Sequence, residues 1–318
     1  MRRANHYKTR KLTKLAKPGK KSRTKSTDKF VEQIAWKHPK PNAEYGVVTG
    51  CDANHEWMLP WWYAHFRRFN QHPVCFVDLG MSTDMARWCE VKGSYADLRA
   101  VPAKRQWFKK PLAILACPFK KVLWIDLDCE IRGAIDPLFD YIVDDKLALT
   151  LDPHNPWVKT KDCVASGIVG ADYGNKLVLL WARGCMTRNK LRGDQEVLNE
   201  ILQGKRDRVS IMPPEYQWLR IDGDNVDALI MHWTGTKGKD YIARAMGLPP
   251  SIGRRYRTTI NPRRLPTKGR VNRKITSLLV NNRIKKKIKA HAPSRTTAPP
   301  THKKPKLRKL KLPKKPKS

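Results

Sequence analysis

Lys121-Val-Leu-Trp-Ile-Asp-Leu-Asp-Cys-Glu-Ile131 decides how this chain reads. Val122, Leu123, Trp124 and Ile125 form the short apolar run of a strand buried on both faces. Two carboxylates, Asp126 and Asp128, stand where such a strand stops. Burying a carboxylate is costly unless a cation or hydrogen bonds compensate it. Side chains two apart on an extended chain share a face, so the pair is placed to hold one hard divalent ion. That ion would in turn hold a diphosphate, and the stretch reads as a nucleotide-sugar site. An isolated D-x-D is also found as a solvated strand-to-turn pair, so the surrounding sequence carries the decision.

Working outward, the rest of the middle segment alternates strands with helices. Strands are expected at 46–49, 74–78, 147–151, 163–169 and 227–232, besides the one ending at Asp126. Helices are expected over the aromatic stretch from Trp57 to Phe66 and at 104–118, 175–187 and 193–202. This pattern predicts an α/β domain with a mainly parallel sheet flanked by helices. Ligands of such sheets sit at the carboxyl ends of the strands, where Thr49–Asp52, Asp126–Asp128 and His232 all fall. Trp57, Trp61 and Trp62 have the one-turn spacing of helix core packing, with a platform for an acceptor sugar ring as the alternative.

The formal charge of +37 is unevenly placed. Residues 1–25 hold 11 Lys and Arg and residues 252–318 hold 24, both without an acidic residue. The intervening segment sets 30 basic against all 28 acidic residues, an ordinary near-neutral composition. We therefore expect a basic disordered tail at 1–30, one domain at 31–251 and a second basic tail at 252–318. Within that last tail, residues 271–289 have the spacing of a basic amphipathic helix suited to an anionic membrane surface. Tails of this charge also bind nucleic acid and other polyanions, or serve only solubility and localisation. No apolar stretch has the length of a membrane span or a secretory signal. The 7 cysteines are scattered and lack a C-x-x-C pair. That argues against a disulfide framework or zinc site and fits a reducing, cytoplasmic location, with peripheral membrane association through the tails.

Four blocks, in order, resemble the glycogenin-like and lipopolysaccharide-galactosyltransferase-like retaining glycosyltransferases of family 8, which have the GT-A fold. They are the 121–131 strand with Ile135-Asp-Pro-Leu-Phe139, Ala165-Ser-Gly-Ile-Val-Gly-Ala-Asp172, Gly193-Asp-Gln-Glu-Val-Leu-Asn199 and His232-Trp-Thr-Gly235. The resemblance implies that Asp126, Asp128 and His232 bind Mn²⁺ or Mg²⁺ bridging the diphosphate of a UDP-sugar donor. It implies a nucleotide-base loop at Thr49, Gly50 and Asp52, a donor-side basic residue at Lys110, and a small-residue strand beside the donor sugar at Ser166 and Gly167. Asp194 and Gln195 fall on the pair facing the donor sugar, Gln195 near the anomeric carbon; Asp194 also reads as a helix N-cap. The family carries a lysine six residues after the histidine and then Pro-Trp. Here position 238 is glycine between Lys237 and Lys239, either of which would reach a phosphate, and the Pro-Trp is absent. The stretch from Asp128 to His232 is also short for the family, with less room for an acceptor subdomain.

The leading expectation is a metal-dependent glycosyltransferase with an unspecified glycan, lipid-linked glycan or protein acceptor. The alternative from another class is an inactive GT-A-like domain in a protein that binds nucleic acid or polyanions through its tails.

Overall fold

The structure is a computed structural model that describes residues 40–153, 162–188, 191, 193–249 and 252. The basic tail at 1–30, the basic tail at 252–318 apart from Ile252, and the amphipathic segment at 271–289 within it lie outside the described residues. Seven strands form the main sheet: β1 (Ala43–Cys51), β2 (Val74–Asp78), β3 (Ser94–Asp97), β4 (Phe119–Ile125), β6 (Leu147–Leu149), β7 (Ile168–Asp172) and β8 (Val209–Ile211). Their order is β3-β2-β1-β4-β7-β6-β8. β3, β2, β1 and β4 run parallel, as do β6 and β8, while β7 is antiparallel to both its neighbours. A smaller sheet, β5-β10-β9, joins Cys129–Ile131, Ile230–His232 and Trp218–Leu219. This is the expected α/β fold with a mainly parallel sheet.

The period-two geometry of strands explains why the central runs are apolar throughout. Val47, Leu123, Ile125 and Phe76 point into one core, where α1 (Leu59–Phe69), α2 (Thr83–Lys92) and the small sheet pack. Val48, Val122, Trp124, Cys75 and Val77 point into the other, filled by α3 (Lys110–Leu115), α4 (Lys176–Thr187) and α5 (Asp194–Leu202). A sheet covered on both faces leaves no polar side to alternate with. All seven cysteines are buried.

The three tryptophans of the first helical stretch resolve as core. Trp57, Trp61 and Trp62 are all buried, and Trp62 stacks on Phe66 with ring centroids 5.4 Å apart. The alternative of a sugar platform is thereby excluded for these side chains. Several elements differ from their sequence expectation, and those nearest the site are the following. The strand expected at 163–169 begins at Ile168, because the preceding backbone pairs with helix side chains described below. The helix expected at 104–118 is a short 3₁₀ turn (Gln106–Lys109) followed by α3, since Pro111 sits at a helix start, where the lack of an N–H costs nothing. The closing strand is confined to Ile230–His232 and is followed by α6 (Gly235–Ala245).

Trp62→Ala is expected to cost about 3–5 kcal/mol by urea denaturation, the range for emptying a large aromatic site. Trp62→Phe should cost less than half of that. The indole Nε1 has no hydrogen-bond partner among the described residues, so its loss removes packing and no polar contact.

Candidate active site

β4 delivers Asp126 to the carboxyl edge of the sheet, beside the end of β1, where the strand order changes direction. The expected extended geometry at 126–128 is corrected here: the chain turns, with the Cys129 N–H donating to the Asp126 carbonyl at 3.0 Å. The turn, with apolar Leu127 tucked inward, brings the two carboxylates together. It is clamped on both sides, by Asp126 N–H to the Gly167 carbonyl at 2.9 Å and by Trp233 N–H to the Asp128 carbonyl at 2.8 Å. β10 pairs antiparallel with β5, setting His232 opposite Cys129 and its imidazole on Asp128. Asp126, Asp128 and His232 each offer a ligand atom within 4.8 Å of the others, forming the one such group among the described residues. Gly167 makes this approach possible, because a Cβ there would lie 2.6 Å from the His232 Cε1.

Two lysines serve this cluster in different ways. Lys110, at the start of α3, has a side chain only 5% exposed. It lies 3.0 Å from Asp126 Oδ1, 3.1 Å from Asp194 Oδ2 and 2.8 Å from the Ser166 carbonyl. Lys239, one turn into α6, donates to Asp128 Oδ2 at 2.8 Å, while His232 Nε2 lies 3.2 Å from Asp128 Oδ1. Of the two flanking lysines, Lys239 is thus the one turned to the carboxylates: Lys237 is exposed, and two residues along a helix turn a side chain to a different face. Position 238 itself has no room for a side chain. A Cβ at 238 would fall 1.8 Å from the Trp233 carbonyl oxygen, so this backbone admits only glycine there.

The electrostatics follow from burial against these partners. Burial raises the Asp126 carboxyl above its ordinary range; Lys110 pulls it back only in part, and Asp128 adds to the rise. Burial acts the same way on Asp128, but Lys239 and His232 overcome it and hold that carboxyl well below the usual range. Burial would lower His232, yet Asp128 outweighs it and raises the imidazole. Lys110 is likewise raised, Asp126 and Asp194 outweighing burial. Trp124 Nε1 donates to Asp126 Oδ1 at 2.5 Å and fixes the rotation of that carboxylate.

Asp194 is not the cap of α5. Gly193 takes that place, and Asp194 is the first helical residue, with its carboxylate turned to Lys110. One position on, Gln195 accepts from Ser166 N–H at 3.2 Å and donates to Asp152 Oδ2 at 2.7 Å. One turn further, Asn199 accepts from Val164 N–H at 2.9 Å and donates to the Val164 carbonyl at 2.8 Å. Gln195 and Asn199 thus supply to the 163–166 backbone the hydrogen bonds that a neighbouring strand would give. Ser166 and Gly167 are held against the carboxylates by this ladder.

At the end of β1, Thr49 is fully buried, and Gly50 leaves room for the Val77 carbonyl, which a Cβ would approach to 2.5 Å. Asp52 closes the following turn by accepting from Asn54 N–H and His55 N–H, each at 3.1 Å. Burial pushes its carboxyl up, but the His55 hydrogen bond and charge, with the two N–H groups, leave it below the ordinary range. Sequence reasoning missed two residues. Asp152 follows an apolar run as Asp126 does, a signal that was available. Gln217 accepts from Thr150 Oγ1 at 3.0 Å and Ile168 N–H at 2.9 Å, and nothing in its sequence surroundings marks it.

No family model matches the chain, and no curated protein matches it. Among solved structures it is similar to the galactosyltransferase LgtC, determined with donor and acceptor sugar analogues, at 14% identity and a TM-score of 0.44, over 60% of this chain and 87% of that one. It is similar to the glycosyltransferase GlyE of Streptococcus pneumoniae at 16% identity and a TM-score of 0.47, over 77% of this chain and 65% of that one. The bifunctional glycosyltransferase WbbM is matched at 14% identity and a TM-score of 0.46, over 69% of this chain and 52% of that one. All three of these solved structures are glycosyltransferases.

Lys110→Met should destabilise the protein by about 3 kcal/mol, since it strands two carboxylates that shared one buried cation. Adding Asp194→Asn should recover part of that loss, and a double-mutant cycle by chemical denaturation measures the coupling.

Proposed function

We propose that this protein is a metal-dependent glycosyltransferase that moves a sugar from a UDP-sugar to an acceptor, with retention of configuration carried by the family resemblance. The observation behind the reading is the convergence of Asp126, Asp128 and His232 within 4.8 Å, with Lys110 and Lys239 on the two carboxylates. Carboxylate oxygens with one imidazole nitrogen form a donor set suited to Mn²⁺ or Mg²⁺. When bound, such an ion would neutralise charge that builds on the departing diphosphate.

The chain's own residues divide the remaining work. Lys239 is the cation placed to pass from Asp128 to a diphosphate oxygen. Lys110 fixes Asp126 and Asp194 in one arrangement, so that the donor meets a wall already set. Ser166 and Gly167 form the close wall of the sugar pocket, where absent or short side chains leave room for a ring. Gln195, its carboxamide bonded at both ends, presents a fixed dipole beside the anomeric carbon. Thr49, Gly50 and Asp52 form the nucleoside side of the cleft, with Asp52 shaping the turn. Fixed cations and dipoles would stabilise the diphosphate as its bond to the sugar breaks. The acceptor oxygen forms the new glycosidic bond and gives its proton to the departing phosphate; no protein nucleophile is assigned.

Titration of UDP into the full chain with Mn²⁺ and then with EDTA tests the proposal. Binding should require the metal and vanish in Asp126→Ala, and Asp128→Ala should lose turnover by a factor of about 100 or more with the fold retained. UDP binding that EDTA leaves intact would overturn the metal assignment.

A further inference from the structure

The two lysines differ in how firmly they are held. Lys110 is enclosed by oxygens of Asp126, Asp194 and Ser166. Lys239 makes one contact to a carboxylate, Asp128 Oδ2, from a side chain that is 21% exposed. Its stem is long and unbranched and can turn about a fixed Cα. That Cα is fixed, because Gly238 packs directly on the Trp233 carbonyl and Trp233 stacks on Tyr241 with ring centroids 3.6 Å apart. The Lys239 ammonium and a divalent ion would compete for the same carboxylate.

Charge balance says when that competition is lost. Asp126, Asp128 and Asp194 bring three negative charges, Lys110 and Lys239 two positive ones, and a ligating imidazole none. The cluster thus carries one net negative charge. A divalent ion alone would reverse that sign in a largely buried site, with Lys239 pushed off Asp128 and given no other partner. A divalent ion arriving with the doubly charged diphosphate of a nucleotide sugar restores the original balance and gives Lys239 new oxygens to bind.

Resting on the nucleotide-sugar reading above, we propose that Lys239 is a built-in counter-ion for Asp128, which makes uptake of the divalent ion depend on uptake of the diphosphate. The two ligands bind cooperatively through one side chain, and by linkage each tightens the other by the same factor. The site stays closed to the metal alone and accepts the metal–nucleotide pair.

Free Mn²⁺ measured by electron paramagnetic resonance on the full chain, with and without saturating UDP, tests this without reference to turnover. In the native protein UDP should tighten Mn²⁺ binding about tenfold or more, within the usual range of coupling between sites. Lys239→Met should bind Mn²⁺ alone about tenfold more tightly than the native chain, and the UDP enhancement should shrink correspondingly. Lys239→Arg, which keeps the charge on Asp128, should bind Mn²⁺ alone more weakly than Lys239→Met, which separates loss of the counter-ion from a folding defect. Mn²⁺ binding by Lys239→Met that is no tighter than native would overturn the counter-ion role while leaving the metal site standing. Mn²⁺ binding that survives unchanged in Asp126→Ala, or is absent from every form, would overturn the metal reading and this inference with it.

Discussion

The cost of gathering carboxylates at the end of a buried strand governs this molecule. Asp126 follows directly on Ile125, at the edge of a sheet sealed on both faces by helices and by the small sheet. Three acids in one cleft would repel one another and forfeit hydration, and the protein meets that cost by enclosing Lys110 among them. Several features follow from this choice. The start of α3 lies against the β4 end so that Lys110 can reach, and α5 begins where its first side chain can share that lysine. The 163–167 segment is drawn in, so that the Ser166 carbonyl completes the shell.

The small sheet answers a second need, that of aiming a histidine. β5 leaves the carboxylate turn and β10 returns beside it, so that one antiparallel pair carries two ligands on one side and the third on the other. A histidine from a free loop would need its own support. Here the backbone pairing of Cys129 with His232 sets the distance, and Gly167 gives the ring its space. Helix α6 follows after two residues and places Lys239 on the same carboxylate.

Much of this was legible in the sequence, for identifiable reasons. β2 was readable to its ends because five apolar or boundary residues in a row leave no competing period. The convergence of Asp126, Asp128 and His232 was readable because two acids close a buried apolar run and the ordered blocks of the family resemblance single out the histidine. The start of β7 was misplaced, since residues 163–167 carry strand-like composition while the Val164 and Ser166 N–H groups are bonded by Asn199 and Gln195, far along the chain. The turn at 126–128 was read as extended, because spacing alone does not distinguish two side chains on one face from two brought together by a turn. The choice between Lys237 and Lys239 was hidden for a similar reason: it depends on the contact of Gly238 with a carbonyl five residues earlier. Gln217 left no trace at all, as its role exists only once β6 and β7 lie side by side.

The ladder from α5 has a consequence for the continuity of the sheet. A strand that ends before its neighbour normally leaves that neighbour's backbone groups without partners, at a cost when they are buried. Here the Val164 N–H and carbonyl and the Ser166 N–H are already bonded to side chains of α5, and the Ala165 N–H is bonded to the Thr150 carbonyl. The side of the segment that β4 vacates after Ile125 is therefore filled by α5, while its other side stays bonded to the 150–152 backbone. Side chains of a helix stand in for the missing length of a central strand, and the sheet is interrupted there without leaving these backbone groups open.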